Sequence, residues 1–373
     1  MKQEVASRAL AVAVQSRQPV LLWGGPGTGK SSAVRSLGAT LGLPVVTVIA
    51  SIREPADFAG LPVVAADGSV RLAEPSWTKQ LVALGSGVLF LDEITTAPPA
   101  VQAALLRVVL ERVVGDVALP PGVAVVAAAN PPDIAAGGWD LSPPLANRFC
   151  HLDWPVDADR FLEALASGWV SADVGSLDGR DLVVADATIR VKSAVGGFLR
   201  SRPQLLYQMP EDLSSTGRGW PSPRSWEMAA TLWASSDALG QEDEVVLQLI
   251  AGCVGPGAAR ELLTWTRDAD LPDPERVLAD PGSFRLPDRG DRQFAVLSAL
   301  AAAVASNPTK ERWEVAFEII DQAIARGAAD VAAVAARSLA RCMPPGVEAL
   351  PQALGSLAPV LDRAGLLRRR SRS

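Results

Sequence analysis

Eight residues near the N-terminus, Gly24-Gly25-Pro26-Gly27-Thr28-Gly29-Lys30-Ser31, have the types and spacing needed to hold a chain of phosphates. Four residues separate Gly24 from Gly29, and Lys30 and Ser31 follow at once, which completes the pattern G-x-x-x-x-G-K-[ST]. Glycines let the backbone turn without a Cβ in the way, so that successive N–H groups point inward. A helix starting at the loop adds the positive end of its dipole. The lysine then reaches the β- and γ-phosphates, and the serine hydroxyl is suited to ligating Mg²⁺. The flanks fit this use better than a chance glycine-rich turn. Val20–Trp23 is an apolar, strand-like run, and Val34, Leu37 and Leu41 repeat on one helical face. The stretch therefore predicts binding of a nucleoside triphosphate with Mg²⁺.

A second chemical element lies about sixty residues further on, in Val88-Leu89-Phe90-Leu91-Asp92-Glu93. An apolar strand here delivers two carboxylates to its C-terminal end, where open α/β sheets bind ligands. Asp92 would hold Mg²⁺, directly or through water, opposite Ser31. Glu93 would orient and polarise the attacking water. The pattern is common by itself and gains its meaning from the loop before it. Asn130 ends the next apolar strand, so its amide would emerge beside Glu93, within reach of a γ-phosphate; an Asn before Pro131-Pro132 also suits a turn. Arg148 closes a short helix in Leu145-Ala146-Asn147-Arg148-Phe149, where an arginine is ordinarily a solvated charge that complements the helix dipole.

These residues need a sheet to hold them. Short apolar runs at Val20–Trp23, Val45–Ile49, Val88–Leu91, Val123–Ala128 and Phe149–Leu152 alternate with helical patterns up to about Pro155. That alternation predicts an α/β fold: a parallel five-stranded sheet flanked by helices. Two interruptions read as inserted hairpins, one around Asp67-Gly68 after the second strand and one at Val113–Leu119 before the fourth. After Asp157 strand signals fade, and helices are expected around Ala187–Arg200, Ser225–Leu239, Glu242–Cys253 and Ala258–Arg267. Pro272, Pro274, Pro281 and Pro287 mark a linker. Beyond it Trp313, Phe317, Ile320 and Ile324 form one stripe of an amphipathic helix, read as core. No chemistry is assigned there, which leaves partner docking or assembly. The end, Leu367-Arg368-Arg369-Arg370, reads as a frayed, solvated terminus.

Composition narrows the function classes. A chain of 373 residues suggests two or three domains, and 49% hydrophobic with 20% charged residues is ordinary for soluble globular proteins. No apolar run approaches the ~20 residues of a membrane helix, and residues 1–11 lack a signal-peptide pattern, so a cytoplasmic location is expected. Cys150, Cys253 and Cys342 are odd in number and widely spaced, which argues for free thiols. His151, the only histidine, excludes Ser-His-Asp chemistry elsewhere and multi-histidine metal sites, and its place in a strand beside Cys150 predicts packing. The net charge of −6 disfavours nucleic acid as the main ligand.

Taken together, the residues resemble those of AAA+ ATPases, and within them the chain is similar to the MoxR family, over about the first 270 residues. Gly24–Ser31 matches the Walker A motif, Val88–Glu93 the Walker B motif, and Asn130 the sensor 1 position. Arg148 matches the arginine finger, and Arg224 in Ser222-Pro223-Arg224-Ser225 matches sensor 2. The Asp57–Trp77 and Val113–Leu119 segments resemble the family's two inserts. The resemblance implies an ATPase core over residues 1–160, a helical lid over 161–269, and leaves 270–373 as a C-terminal helical extension. It implies lid closure that brings Arg224 to the γ-phosphate, and a homo-oligomeric hexameric ring in which Arg148 serves a neighbour. It also implies chaperone-like remodelling or maturation of a protein client, with a separate von Willebrand factor A domain protein as a partner. Other readings stay open here: a nucleotide-gated scaffold with little turnover, a metal-chelatase-type motor, or a DNA-directed motor.

Overall fold

The structure, a computed structural model, describes residues 2–131, 138–168, 172–282 and 284–345. Pro132 of the anticipated turn and the arginine-rich end 367–370 lie outside the described residues. The chain divides into two compact units, Met1–Val184 with Leu205–Arg260, and Ala185–Gln204 with Glu261–Ser373.

The first unit opens with α1 (Gln3–Gln15), β1 (Val20–Trp23), α2 (Lys30–Thr40), β2 (Val45–Ile49) and a short α3 (Ala56–Ala59). The hairpin β3 (Leu61–Val64) and β4 (Val70–Ala73) follows, then α4 (Ser76–Leu84), β5 (Ser86–Asp92) and α5 (Pro99–Glu111). A second hairpin, β6 (Val113–Val114) with β7 (Val117–Ala118), precedes β8 (Gly122–Ala129), α6 (Pro143–Ala146) and β9 (Cys150–Asp153). Helices then run α7 (Ala158–Ser167), α8 (Asp181–Ser201), α9 (Pro223–Ala238), α10 (Asp243–Val254) and α11 (Pro256–Ala269), of which α8 from Ala185 and α11 from Glu261 belong to the second unit. The second unit adds α12 (Pro274–Ala279), α13 (Gly290–Ser306), α14 (Lys310–Ala325) and α15 (Ala329–Arg341).

Five parallel strands form the sheet in the order β2-β5-β8-β1-β9. Its central strands are apolar on both faces because both are covered, as a parallel sheet requires. One face carries Leu21, Trp23, Leu89, Leu91, Val125 and Ala127 into a core completed by α5. On the other, α1 presents buried Ala6, Ala9 and Ala13, small enough for close approach to the sheet, together with the larger Leu10. α10 packs against β9 and α1. Each large side chain buried this way contributes about 1.5–3 kcal/mol.

Both anticipated inserts are antiparallel hairpins. They meet each other, since Leu72 N–H donates to Asp116 Oδ2 at 3.0 Å. In the second unit the predicted stripe faces the core: Trp313, Phe317 and Ile320 are buried, Ile324 is partly buried against the same cluster, and Trp313 Nε1–H donates to Leu339 O at 3.0 Å. Arg312 and Glu275 add a paired contact of 2.6 and 2.7 Å.

Candidate functional site

Strand order decides where the predicted residues meet. β1 lies beside β8, and β8 beside β5, so the loop after β1 opens between the ends of β8 and β5. There a cavity of ≈ 350 Å³ is lined by loop residues 26–32, by Asp92 and Glu93, and by residues 128–130. The loop turns through left-handed Gly27 (φ +75°) and Gly29 (φ +86°) into the N-terminus of α2.

Lys30 Nζ donates to Gly24 O (2.7 Å), Gly25 O (2.9 Å) and Asn130 Oδ1 (3.1 Å), which uses all three ammonium protons. Burial holds its pKa below the ordinary lysine value, against the opposing pull of Asp92 and Glu93. Ser31 Oγ–H donates to Asp92 Oδ2 at 2.8 Å, so a hydroxyl and a carboxylate oxygen stand together, a donor pair suited to a hard cation. Among the described residues no cluster of three or more His, Cys, Asp or Glu could hold a metal ion. A divalent cation at this pair would therefore take its remaining ligands from phosphate and water.

Glu93 leaves the strand in the left-handed region, φ +58°, an uncommon state for a non-glycine residue. Its exposed carboxylate accepts Ser51 Oγ–H at 2.6 Å, and its N–H donates to Asp92 Oδ1 at 3.0 Å. Ser51 follows β2, whose Ile49 pairs with Asp92. Sequence reasoning missed this contact because it depends on β2 being the neighbour of β5.

Loop support was also unforeseen. Trp154, just past β9, donates N–H to Trp23 O (2.6 Å) and Nε1–H to Thr28 O (3.2 Å). Arg218 sits over the Trp23 ring at 4.3 Å and pairs with Asp153 at 2.8 Å.

Arg148 and Arg224 do not line this cavity. Instead they lie near each other: burial and then the like charge of Arg224 lower the Arg148 pKa. Arg148 donates Nη1–H to Pro144 O. Arg224 is exposed in the first turn of α9, which is N-capped by Ser222 in a reciprocal capping box with Ser225.

Residues 19–149 match the model of the AAA domain, dynein-related subfamily. The match runs from the foot of β1 to the foot of β9, and the five-stranded parallel sheet with its flanking helices, followed by helices to the C-terminal side, is an AAA+ fold. No curated protein matches the chain. Among solved structures it is similar to a presumptive ATPase of Cytophaga hutchinsonii at 16% identity, over 70% of this chain and 87% of that one, with a TM-score of 0.44. It is also similar to a full-length MCM homolog of Methanopyrus kandleri at 16% identity, over 69% of this chain and 53% of that one, with a TM-score of 0.37. At these values neither structure carries an argument about function. No helix among the described residues is long and apolar enough to cross a membrane.

His151 is buried, as its place in a strand suggested. Its Nδ1 accepts Trp23 Nε1–H at 2.8 Å, and its Nε2 lies 2.9 Å from Ala146 O, so Nε2 must carry the proton. Burial pushes its pKa down to about 4 from 6.5. Because the unfolded chain gains this proton first, the stabilisation is complete above pH 6.5 and is lost as the pH falls towards 4, on the order of 3 kcal/mol. Urea midpoints of wild type and His151→Gln between pH 7.5 and 4 should converge as the medium is acidified; parallel curves would rule this out.

Cys150 and Cys253 are both buried and free, and they are hydrogen-bonding neighbours between β9 and α10 despite their separation in sequence. Burial raises the Cys253 pKa, which suits packing and not reactivity.

Proposed function

We propose that this protein is an Mg²⁺-dependent ATPase that works as a homo-oligomeric ring, a hexamer, and remodels a protein partner. The observation that carries the reading is the convergence of Lys30, Ser31, Asp92, Glu93 and Asn130 on one cavity at the C-terminal edge of the sheet. Ser31 and Asp92 would hold Mg²⁺, which would supply positive charge to offset that of the phosphates. Lys30 exchanges its loop carbonyls for β- and γ-phosphate oxygens. Glu93 takes up the developing proton of the attacking water, and Asn130 keeps that water and the γ-phosphate aligned.

That Arg148 is not among the residues lining its own chain's cavity favours a role at a neighbouring subunit's nucleotide, while Arg224, in the first turn of α9, would come to the γ-phosphate as the lid closes. Remodelling is supported by the resemblance and by the exposed apolar residues Leu61, Val64 and Val70 of the first hairpin, which suit a protein client better than a nucleic acid. A separate protein with a von Willebrand factor A domain fits this reading as a partner.

Lys30→Ala tests the nucleotide assignment. Its loss removes charge-assisted hydrogen bonds, so the Kd for labelled ATP should rise about 10- to 100-fold. Chelating Mg²⁺ should abolish turnover. Unchanged ATP affinity in the variant would refute the proposed site.

A further inference from the structure

We infer that His151 is a positioning residue that joins the root of the phosphate loop to the turn bearing Arg148, and so sets how that arginine is presented to a neighbour. The inference rests on the ring reading above. Trp23, the last residue of β1, immediately precedes Gly24 and donates its indole N–H to His151 Nδ1 at 2.8 Å. The two rings are within 15° of parallel. From its other nitrogen, His151 donates to Ala146 O at 2.9 Å. A tryptophan N–H can only donate and a carbonyl can only accept, so one neutral tautomer satisfies both partners.

What lies at the far end of this bridge gives it consequence. Ala146, Asn147 and Arg148 are consecutive, and each makes a different connection. The Ala146 carbonyl receives His151. The Asn147 side chain donates to Trp220 O at 3.0 Å and accepts Ser222 Oγ–H at 2.7 Å, tying the turn to the N-cap of α9, which bears Arg224. Arg148 follows at the edge, beside the Arg224 charge. Arg148 Nη1 spends its own bond on Pro144 O, inside the same turn, so the guanidinium is aimed by the backbone of that turn. Arg218 holds the near end, over Trp23 and paired with Asp153. Arg148 thus hangs from a short segment anchored by His151, and the N-cap of the helix bearing Arg224 is tied to the same segment through Asn147.

The test uses His151→Phe, which keeps a ring of similar size without either polar atom, and His151→Gln, whose amide can still donate to Ala146 O. His151→Phe should bind labelled ATP within about 3-fold of wild type and lose about 10- to 100-fold in kcat, the scale of a small misplacement of a reacting group. His151→Gln should recover most of that loss.

Subunit mixing separates positioning from general damage. Mixed with Glu93→Gln, His151→Phe should regain turnover, because it contributes an intact Glu93 to an interface whose well-placed Arg148 comes from the other subunit. Mixed with Arg148→Ala it should not, because neither subunit brings a well-placed arginine. If His151 acted on its own phosphate loop, the two results would be exchanged. Loss of folding would rescue neither mixture. Should His151→Phe not fold, Trp23→Phe/His151→Phe removes the orphaned indole donor and gives the same readout. The control is Arg148→Ala mixed with Glu93→Gln. If the control regains no turnover, the ring reading falls and takes this inference with it. If the control works but the asymmetry is exchanged or missing, this inference alone is overturned.

Discussion

Arg148→Ala should bind ATP almost as wild type does and hydrolyse it about 10³-fold or more slowly, as expected for an arginine that stabilises charge during phosphoryl transfer. Arg148 is absent from the residues lining its own chain's cavity, so its loss should leave binding there untouched. Its cost should appear in kcat alone, at an interface. Adding inactive Glu93→Gln protein to inactive Arg148→Ala protein should restore part of the turnover, since some interfaces then combine an intact Glu93 with an intact Arg148. Specific activity should also fall on dilution as the ring dissociates. A fully active Arg148→Ala variant, monomeric in ATP and insensitive to dilution, would dispose of the trans assignment.

The second large effect concerns Glu93. Glu93→Gln should retain ATP but lose about 10²–10⁴-fold in turnover, the usual contribution of a positioned base. The amide is nearly the same size and can still meet Ser51 Oγ, which donates to the carboxylate at 2.6 Å. What it cannot do is accept the proton of the attacking water. Single-turnover hydrolysis of labelled ATP separates chemistry from binding and product release. Wild-type single-turnover rates in this variant would assign the water to another residue. The long-lived ATP complex would also be the form in which to capture the protein client.

The residues that line the cavity were legible in the sequence because they come as contiguous patterns. Gly24–Ser31 and Val88–Glu93 each sit within one strand-to-loop unit, and the strands leading into them are uninterrupted apolar runs. Sheet strand runs were recovered to within about two residues, and both hairpins were signalled by turn residues such as Asp67-Gly68. The supporting contacts were not legible, since they depend on strand order. Ser51 meets Glu93 only because β2 adjoins β5, and His151 meets Trp23 only because β9 adjoins β1. The neighbouring thiols of Cys150 and Cys253 escaped because they meet through the packing of a helix on the sheet: one lies on β9 and the other on α10. The two arginines were found as separate motifs; their proximity is a tertiary fact, made by Asn147 and Ser222.

Gly24 and its companions in the loop are glycines for unlike reasons, and the difference matters to anyone rebuilding this site. Gly27 and Gly29 are left-handed, so a side chain there meets a conformational penalty, with nothing within 4 Å of a Cβ at Gly27. Gly24 is not left-handed; a Cβ on it would stand 2.8 Å from Trp154 O and 3.1 Å from Thr28 Oγ1. Gly25 is neither, its nearest neighbour being Thr28 Cγ2 at 3.8 Å. The first letter of the motif is therefore a record of where a distant part of the chain passes. A designer who grafted residues 20–31 onto another scaffold would carry over a vacancy shaped for Trp154 without the tryptophan that fills its rim, and would inherit a loop free to sag away from its ligand.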